Sequence, residues 1–282
     1  MYQILDGKTV SAYVKQQVKD EVALLAENGS VPALAVIIVG NDPASKVYVG
    51  NKKKACEMTG MKSIEYALDE NTSEEELLAL IDKLNGDKEV NGILCQLPLP
   101  KHINEDKIID AIAPEKDVDG FSAVNVGKIW LGKYEISPCT PMGVIELLDY
   151  YKIPLEGKNC VVVGRSNIVG KPMAALLLER NATVTICHSR TKDLASFTKN
   201  ADVIVAAVGR ANFITADMVK DGAVVVDVGI NRLESGKLCG DVDFENVKEK
   251  ASFITPVPGG CGPMTIAVLM KNTLVAYKAQ NK

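Results

Sequence analysis

Four short stretches of this 282-residue chain carry side chains whose types and spacing suit proton transfer or the holding of a planar ligand. Tyr48 and Lys52 lie four residues apart, so on a helix they share one face. An aromatic ring beside an amine can stack on a planar substrate while the amine moves a proton. The competing reading is a solvated lysine in the basic run Lys52-Lys53-Lys54, next to a half-buried tyrosine. Gln96 heads the run Leu97-Pro98-Leu99-Pro100. An uncharged amide can hold a lysine by hydrogen bond without adding a counter-charge. That matters because an acid–base lysine needs its pKa brought down from about 10.4 towards neutrality, whereas a carboxylate partner would keep it protonated. Lys116-Asp117-Val118-Asp119-Gly120-Phe121 offers two carboxylates able to accept paired N–H donors from a heterocycle such as an aminopyrimidine; the alternative is two turn-forming aspartates. In Gly259-Gly260-Cys261-Gly262, missing side chains permit close approach of a ligand, or simply make a hinge.

A fifth stretch, Asn159 to Arg180, organises the second half of the chain. Cys160 to Val163 is a short β-branched run, the composition of a strand buried on both faces. Gly164 breaks it, and after Gly170 and Pro172 the sequence Met173 to Arg180 is strongly helical. A strand, a glycine-bounded turn and a helix start would point free N–H groups at one spot, where phosphate binds. The dinucleotide fingerprint G-x-G-x-x-G is matched imperfectly, because Gly164-Arg165-Ser166 is followed by the next glycine only at Gly170. An ordinary strand-to-helix turn remains the alternative. The next strand, Thr183 to Cys187, ends in His188-Ser189-Arg190, with no Asp or Glu at its tip to bond ribose hydroxyls. With Arg165 in the turn, two guanidinium groups are available for a phosphate, which points to NADP rather than NAD; a lone Arg190 is otherwise a surface charge.

The elements that must position these residues read as a parallel α/β chain. Lys8 to Asn28 is helical in spacing and stops at Asn28-Gly29; Ala33 to Val39 is a buried strand. A helix over 44–59 closed by Gly60, a strand over 61–67, a helix over 73–84, a strand over 92–96 and a helix over 103–112 follow. Residues 121–140 are irregular and rich in turn formers. Helix Met142 to Tyr151 leads into the nucleotide strand, and strands at 201–207 and 223–228 continue the alternation. Leu233 to Phe244 reads as a short hairpin or edge strand, and Met264 to Lys278 as the final helix. The organisation expected is a catalytic domain over 1–120 plus 264–282, a linker over 121–139, and a Rossmann-type domain over 140–263.

Composition narrows the function. Thirty-two basic against 36 acidic residues leave a net charge of −4, with no basic block, so nucleic acid is not an expected partner. No apolar run reaches a membrane span and the N-terminus lacks a signal-peptide core, so a cytoplasmic protein is expected. Seven scattered cysteines without a C-x-x-C, and only two histidines, argue for reduced thiols and no metal centre.

Together, S-x-x-Y-V-x-x-K-x-K-A (Ser45 to Ala55), QLPLP (Gln96 to Pro100), KDVDGF (Lys116 to Phe121), GRSNIVGKP (Gly164 to Pro172) and PGGCGPMT (Pro258 to Thr265) resemble the bifunctional methylenetetrahydrofolate dehydrogenase/cyclohydrolase family, in order and over nearly the whole chain. One departure is Cys261, where that family usually has valine; it places a thiol near the site and suggests oxidation sensitivity.

The resemblance implies a two-domain α/β fold with a cleft between the domains, folate on the first and NADP on the second. It implies Lys52 as the acid–base residue of the cyclohydrolase step, tuned by Gln96. Tyr48 would stack on the folate, Asp119 would bind its pterin, and Pro258, Gly259 and Gly260 would lie near it. Gly164, Arg165, Ser166, Ser189 and Ile230 would contact the dinucleotide. A homodimer, through the edge near Gly236 to Val242, is implied by the same likeness. A dehydrogenase lacking the hydrolytic step would not need Lys52 and Gln96. An idle NADP-binding scaffold would be expected to lose the Tyr/Lys/Gln/Asp set, which is present. A different small-molecule dehydrogenase would leave PGGCGPMT unexplained.

Overall fold

The computed structural model describes residues 2–27 and 29–281. In chain order, β1 (Gln3–Ile4) and α1 (Gly7–Glu27) precede β2 (Ala33–Val39), α2 (Pro43–Thr59), β3 (Lys62–Leu68), α3 (Glu74–Gly86) and β4 (Gly92–Cys95). The expected end of the first helix at Asn28 lies outside the described residues. Then come α4 (Glu105–Ala111), α5 (Ala123–Trp130) and α6 (Cys139–Tyr150). The nucleotide half runs β5 (Asn159–Val163), α7 (Gly170–Glu179), β6 (Thr183–Cys187), α8 (Leu194–Thr198), β7 (Val203–Ala206) and β8 (Val224–Asp227). A hairpin of β9 (Asn231–Arg232) and β10 (Leu238–Cys239), α9 (Phe244–Val247), β11 (Phe253–Ile254) and α10 (Cys261–Gln280) complete it.

The chain forms two compact units. One combines Ala12–Cys139 with the chain from Ile266 onward. Its sheet is β3-β2-β4, all parallel, with every side chain of β2 buried. That explains the unbroken apolar run Ala33–Val39: a central strand covered on both faces cannot alternate with polar residues. Helix α2, which carries Tyr48 and Lys52, is tightly delimited. The Asp42 side chain accepts from Ser45 N at 2.7 Å, Pro43 opens the first turn, and Gly60 at φ 77° returns its N–H to Cys56 O.

The other unit combines the chain up to Ser11 with Thr140–Thr265. Its six strands run in the order β1-β11-β8-β7-β5-β6, and every pairing is parallel. After β5 the chain goes outward to β6 and then crosses to β7 on the other side of β5, which makes a topological switch point at the carboxyl end of β5. Its core is β-branched: Val161, Ile204, Val225 and Ile254 are buried together.

Three sequence expectations change. The first residues, expected with the catalytic part, belong with the six-stranded sheet, because Gln3 and Ile4 pair with Phe253 and Ile254. A two-residue strand carries no periodicity, and only its partner reveals it. Residues 121–139, expected to be an irregular linker, contain α5 and fall in the three-stranded unit. Helix α5 is capped by the Ser122 side chain accepting from Asn125 N, and at eight residues with Gly127 inside it has little intrinsic signal. The final helix starts at Cys261, so Cys261 to Thr265, five of the eight residues of PGGCGPMT, are helical.

Candidate active site

In the three-stranded unit, Lys52, Gln96 and Asp119 come together from three separate elements. Lys52 is 9% exposed on α2, and its Nζ donates to Gln96 Oε1 at 2.8 Å. Gln96 follows β4, its backbone N–H held by Ile37 O at 2.8 Å and its Nε2 donating to Leu97 O at 2.6 Å. That second bond orients the amide so that the oxygen faces the lysine. Asp119 is brought alongside by the parallel bridge of Asp117 to Ile93 of β4. Burial pushes the Lys52 pKa below the ordinary lysine value, opposed in part by the Asp119 carboxylate. Burial likewise raises the Asp119 carboxyl to about 6, with Lys52 opposing and Asp117 adding to the rise. A buried amine with a lowered pKa and an uncharged hydrogen-bond partner is better suited to give and take a proton than a solvated lysine is. Tyr48, on the same helix, is 42% exposed, so its ring is open to a ligand.

The two aspartates of the KDVDGF stretch divide the two roles open to them. Asp117 is 2% exposed and fully engaged, accepting from Gly120 N, Phe121 N, Ser122 N and Asn125 Nδ2 at 2.8–3.2 Å. It staples its own loop and has no acceptor capacity left for a heterocycle. Asp119 alone retains it. Lys116 is spent too, donating to Leu84 O and Asp87 O at the end of α3. Sequence reading missed Asn272 and Cys139. Asn272 Nδ2 lies 2.9 Å from both Val118 O and Ser137 O, and 3.6 Å from Cys139 Sγ, and so fastens the backbone just before Asp119 to α10. An asparagine inside an apolar helix was the available signal.

In the six-stranded unit, the switch point opens into a cavity of about 310 Å³. Gly164, Arg165, Ser166, Ser189, Arg210 and Phe213 are among its lining residues, and no carboxylate lines it. The turn is built by close backbone approach. A Cβ on Gly170 would lie 2.3 Å from Gly164 O, and one on Gly164, at φ +140°, 2.3 Å from Ala207 O. Ser166 Oγ accepts from Val169 N and Gly170 N at 3.2 and 3.3 Å, so it caps the start of α7. Its hydroxyl proton stays available to a ligand. Arg165 and Ser189 are exposed within that lining, whereas Arg190, exposed beside Ser189, does not line the cavity. A glycine cradle, a helix start and two arginines without an acid fit an NADP-type dinucleotide. Ile230, half exposed after β8, is not part of the cavity lining.

Pro258, Gly259 and Gly260 belong to the six-stranded unit rather than to the unit of Lys52. Gly260 N donates to Pro256 O at 2.8 Å, closing that loop. Cys261 is 5% exposed, and burial holds its thiol well above the usual range. A buried, protonated thiol is inert, so the oxidation sensitivity expected of it has no support in these surroundings.

A parallel α/β protein with a dinucleotide switch-point site in one unit and a buried lysine–amide–carboxylate site in the other is thus defined. Its sequence matches the tetrahydrofolate dehydrogenase/cyclohydrolase catalytic domain over residues 5–119 and the NAD(P)-binding domain of the same name over 138–281. A bifunctional protein FolD of Agathobacter rectalis is 62% identical, over 99% of this chain and 100% of that one. The crystal structure of the bifunctional FolD dehydrogenase/cyclohydrolase from Campylobacter jejuni superposes with a TM-score of 0.97 at 55% identity, covering 99% of each chain. That of the Trypanosoma brucei dehydrogenase-cyclohydrolase, complexed with NADP and inhibitor, gives 0.95 at 37% identity, covering 100% of this chain and 99% of that one. The chain belongs to the tetrahydrofolate dehydrogenase/cyclohydrolase family.

Proposed function

We propose that this protein oxidises 5,10-methylenetetrahydrofolate to the 5,10-methenyl form with NADP, then hydrolyses that product to 10-formyltetrahydrofolate. The observation that carries the hydrolytic half is the 2.8 Å bond from buried Lys52 Nζ to the uncharged Gln96 Oε1. NADP, when bound, supplies the hydride acceptor. The protein's part in that step is to hold and orient, since the neighbouring nitrogen lone pairs stabilise the cation and no general base is required. Gly164, Arg165, Ser166 and Ser189 are the residues we assign to holding the dinucleotide, with Ile230 as a further contact.

Hydrolysis needs proton management. Water adds to the methenyl carbon and loses its protons as the carbon–N5 bond breaks. One proton ends on N5 and one in solvent. Lys52, whose ammonium form burial disfavours, takes the proton from the attacking water and returns one to N5. Gln96 holds the amine in place without fixing its charge. Tyr48 presents its ring to the folate, and Asp119 accepts the N–H donors of the pterin.

The reading is tested by a paired assay with 5,10-methylenetetrahydrofolate and either NADP or NAD, following reduced nicotinamide and methenyl absorbance separately. Reduction with NADP, then decay of the methenyl signal faster than in buffer, is the expected result. Reduction without accelerated decay would remove the role given to Lys52.

Asp119 adds a pH signature. Only the ionised carboxylate accepts two N–H donors, so binding of a non-reacting folate analogue should weaken as pH falls through about 6, approaching tenfold per pH unit below it. Asp119→Asn should flatten that profile. Stability runs the other way. A carboxyl raised in the folded chain above its ordinary 3.8 is favoured protonated, so this group stabilises the free protein as pH falls from about 6. Weaker binding near pH 5.5 with an unchanged or higher melting temperature therefore separates the two effects.

No helix among the described residues is long and apolar enough to cross a membrane. The folate and the dinucleotide are the partners this reading requires.

A further inference from the structure

Among the described residues of the six-stranded unit, two buried carboxylates, Asp227 and Asp241, take no part in the chemistry above. Asp241 is 0% exposed, and it is surrounded by backbone rather than by a cation. Its Oδ2 accepts from Val208 N at 2.6 Å and Gly209 N at 3.0 Å, and its Oδ1 from Arg210 N and Asn231 Nδ2, both at 2.9 Å. Three successive N–H groups wrapped round one oxyanion make a nest, the arrangement proteins otherwise use for phosphate. Here the anion is internal. Asp227, 3% exposed, holds the strand of chain that carries Asp241, accepting from Asp241 N and Val242 N at 2.9 Å. The approach is possible only because residue 240 is glycine: a Cβ there would lie 1.8 Å from Asp227 Oδ2.

The nest residues are also a wall of the dinucleotide cavity. Val208 and Arg210 line it, and so does Phe213, over whose ring the Arg210 guanidinium stacks at 4.7 Å. The Arg210 backbone is thus fixed by Asp241 and its side chain by Phe213. On the reading of this cavity as the NADP site, we propose that Asp241 is a positioning residue for the dinucleotide: it sets the 208–210 backbone and thereby aims Arg210 at the bound nucleotide. Its charge is spent on backbone N–H groups, so it supports an anion-binding wall without repelling the anion. The hydrolytic step does not depend on it.

The test is calorimetric titration of the folded protein with NADP. Asp241→Asn turns an amide N–H₂ towards donors that the carboxylate had satisfied, so the loop must re-form. The dissociation constant for NADP should rise about tenfold or more, with KM for NADP rising alike and kcat at saturating NADP kept within about twofold. Hydrolysis of 5,10-methenyltetrahydrofolate, measured without nucleotide, should be unchanged. Arg210→Gln, at an exposed position, should weaken NADP by a similar factor with no change in melting temperature. The double variant should be little worse than either single one, because both act through the same side chain. Wild-type NADP affinity in Asp241→Asn, equal loss of both activities, or additive effects would each overturn the proposal. Should Asp241→Asn fail to fold, an unchanged affinity in Arg210→Gln overturns it alone. A wild-type protein that binds no NADP would defeat the assignment of the cavity instead.

Discussion

Replacing Lys52 by methionine is expected to cut the hydrolytic rate by about 10²–10⁴, the range that a positioned acid–base group supplies, while hydride transfer falls far less. Methionine preserves the volume of the buried stem and removes the amine, so α2 keeps its packing beside β2 and β3. The prediction follows from a division of labour that the geometry supports. Lys52 Nζ is buried and bonded to an uncharged amide, the arrangement for a group that must gain and lose a proton. Oxidation of the methylene unit asks for no proton transfer at that atom. Separate initial rates, reduced nicotinamide formed and methenyl signal consumed, check it. Equal loss of the two activities would show that Lys52 mainly holds the folate.

Gly170→Ala should act on the opposite activity. The added Cβ would sit 2.3 Å from Gly164 O, 2.6 Å from Gly164 C and 2.7 Å from Arg165 N, all backbone atoms with no rotamer to move aside. The turn must open, displacing the N–H groups at the start of α7 and the Arg165 side chain together. Misplacement of about 1 Å can cost ~10²-fold, so a loss of that order in NADP affinity is expected, measured by titration. Methenyl hydrolysis should survive, since Lys52, Gln96 and Asp119 belong to the other unit. Retained NADP affinity would mean that the turn is not the phosphate cradle.

These two variants and the Asp241 series together form a cross. Lesions in the six-stranded unit should read out on NADP, and lesions at Lys52 on hydrolysis. The Asp119 profile adds a third axis, folate binding, whose pH dependence has the opposite sign to its effect on stability. A single cause such as general unfolding cannot produce all of these patterns.

The sequence by itself determined the alternation of strands and helices and the identities of the reactive side chains. Ala33–Val39 and Cys160–Val163 are recognisable because a strand buried on both faces must be continuously apolar. Tyr48 and Lys52 are legible as a pair because helical spacing is a local property, and the chain also carries family motifs long enough to be specific. What local sequence cannot encode is which distant segments meet. The pairing of Gln3–Ile4 with Phe253–Ile254 spans almost the whole chain, and two residues have no period to detect. Asp117 and Asp119 are equivalent in composition; only the tertiary structure gives four donors to the first and leaves the second facing Lys52. Helix α5 exists because the Asp117 staple and the Ser122 cap hold its first turn, not because its residues favour a helix. Asp241 was hidden for the same reason: three of its four donors are backbone N–H groups 31 to 33 residues away, and backbone groups leave no mark on side-chain identity. Residue types set which chemistry is available, and long-range backbone geometry chose which of those residues could perform it.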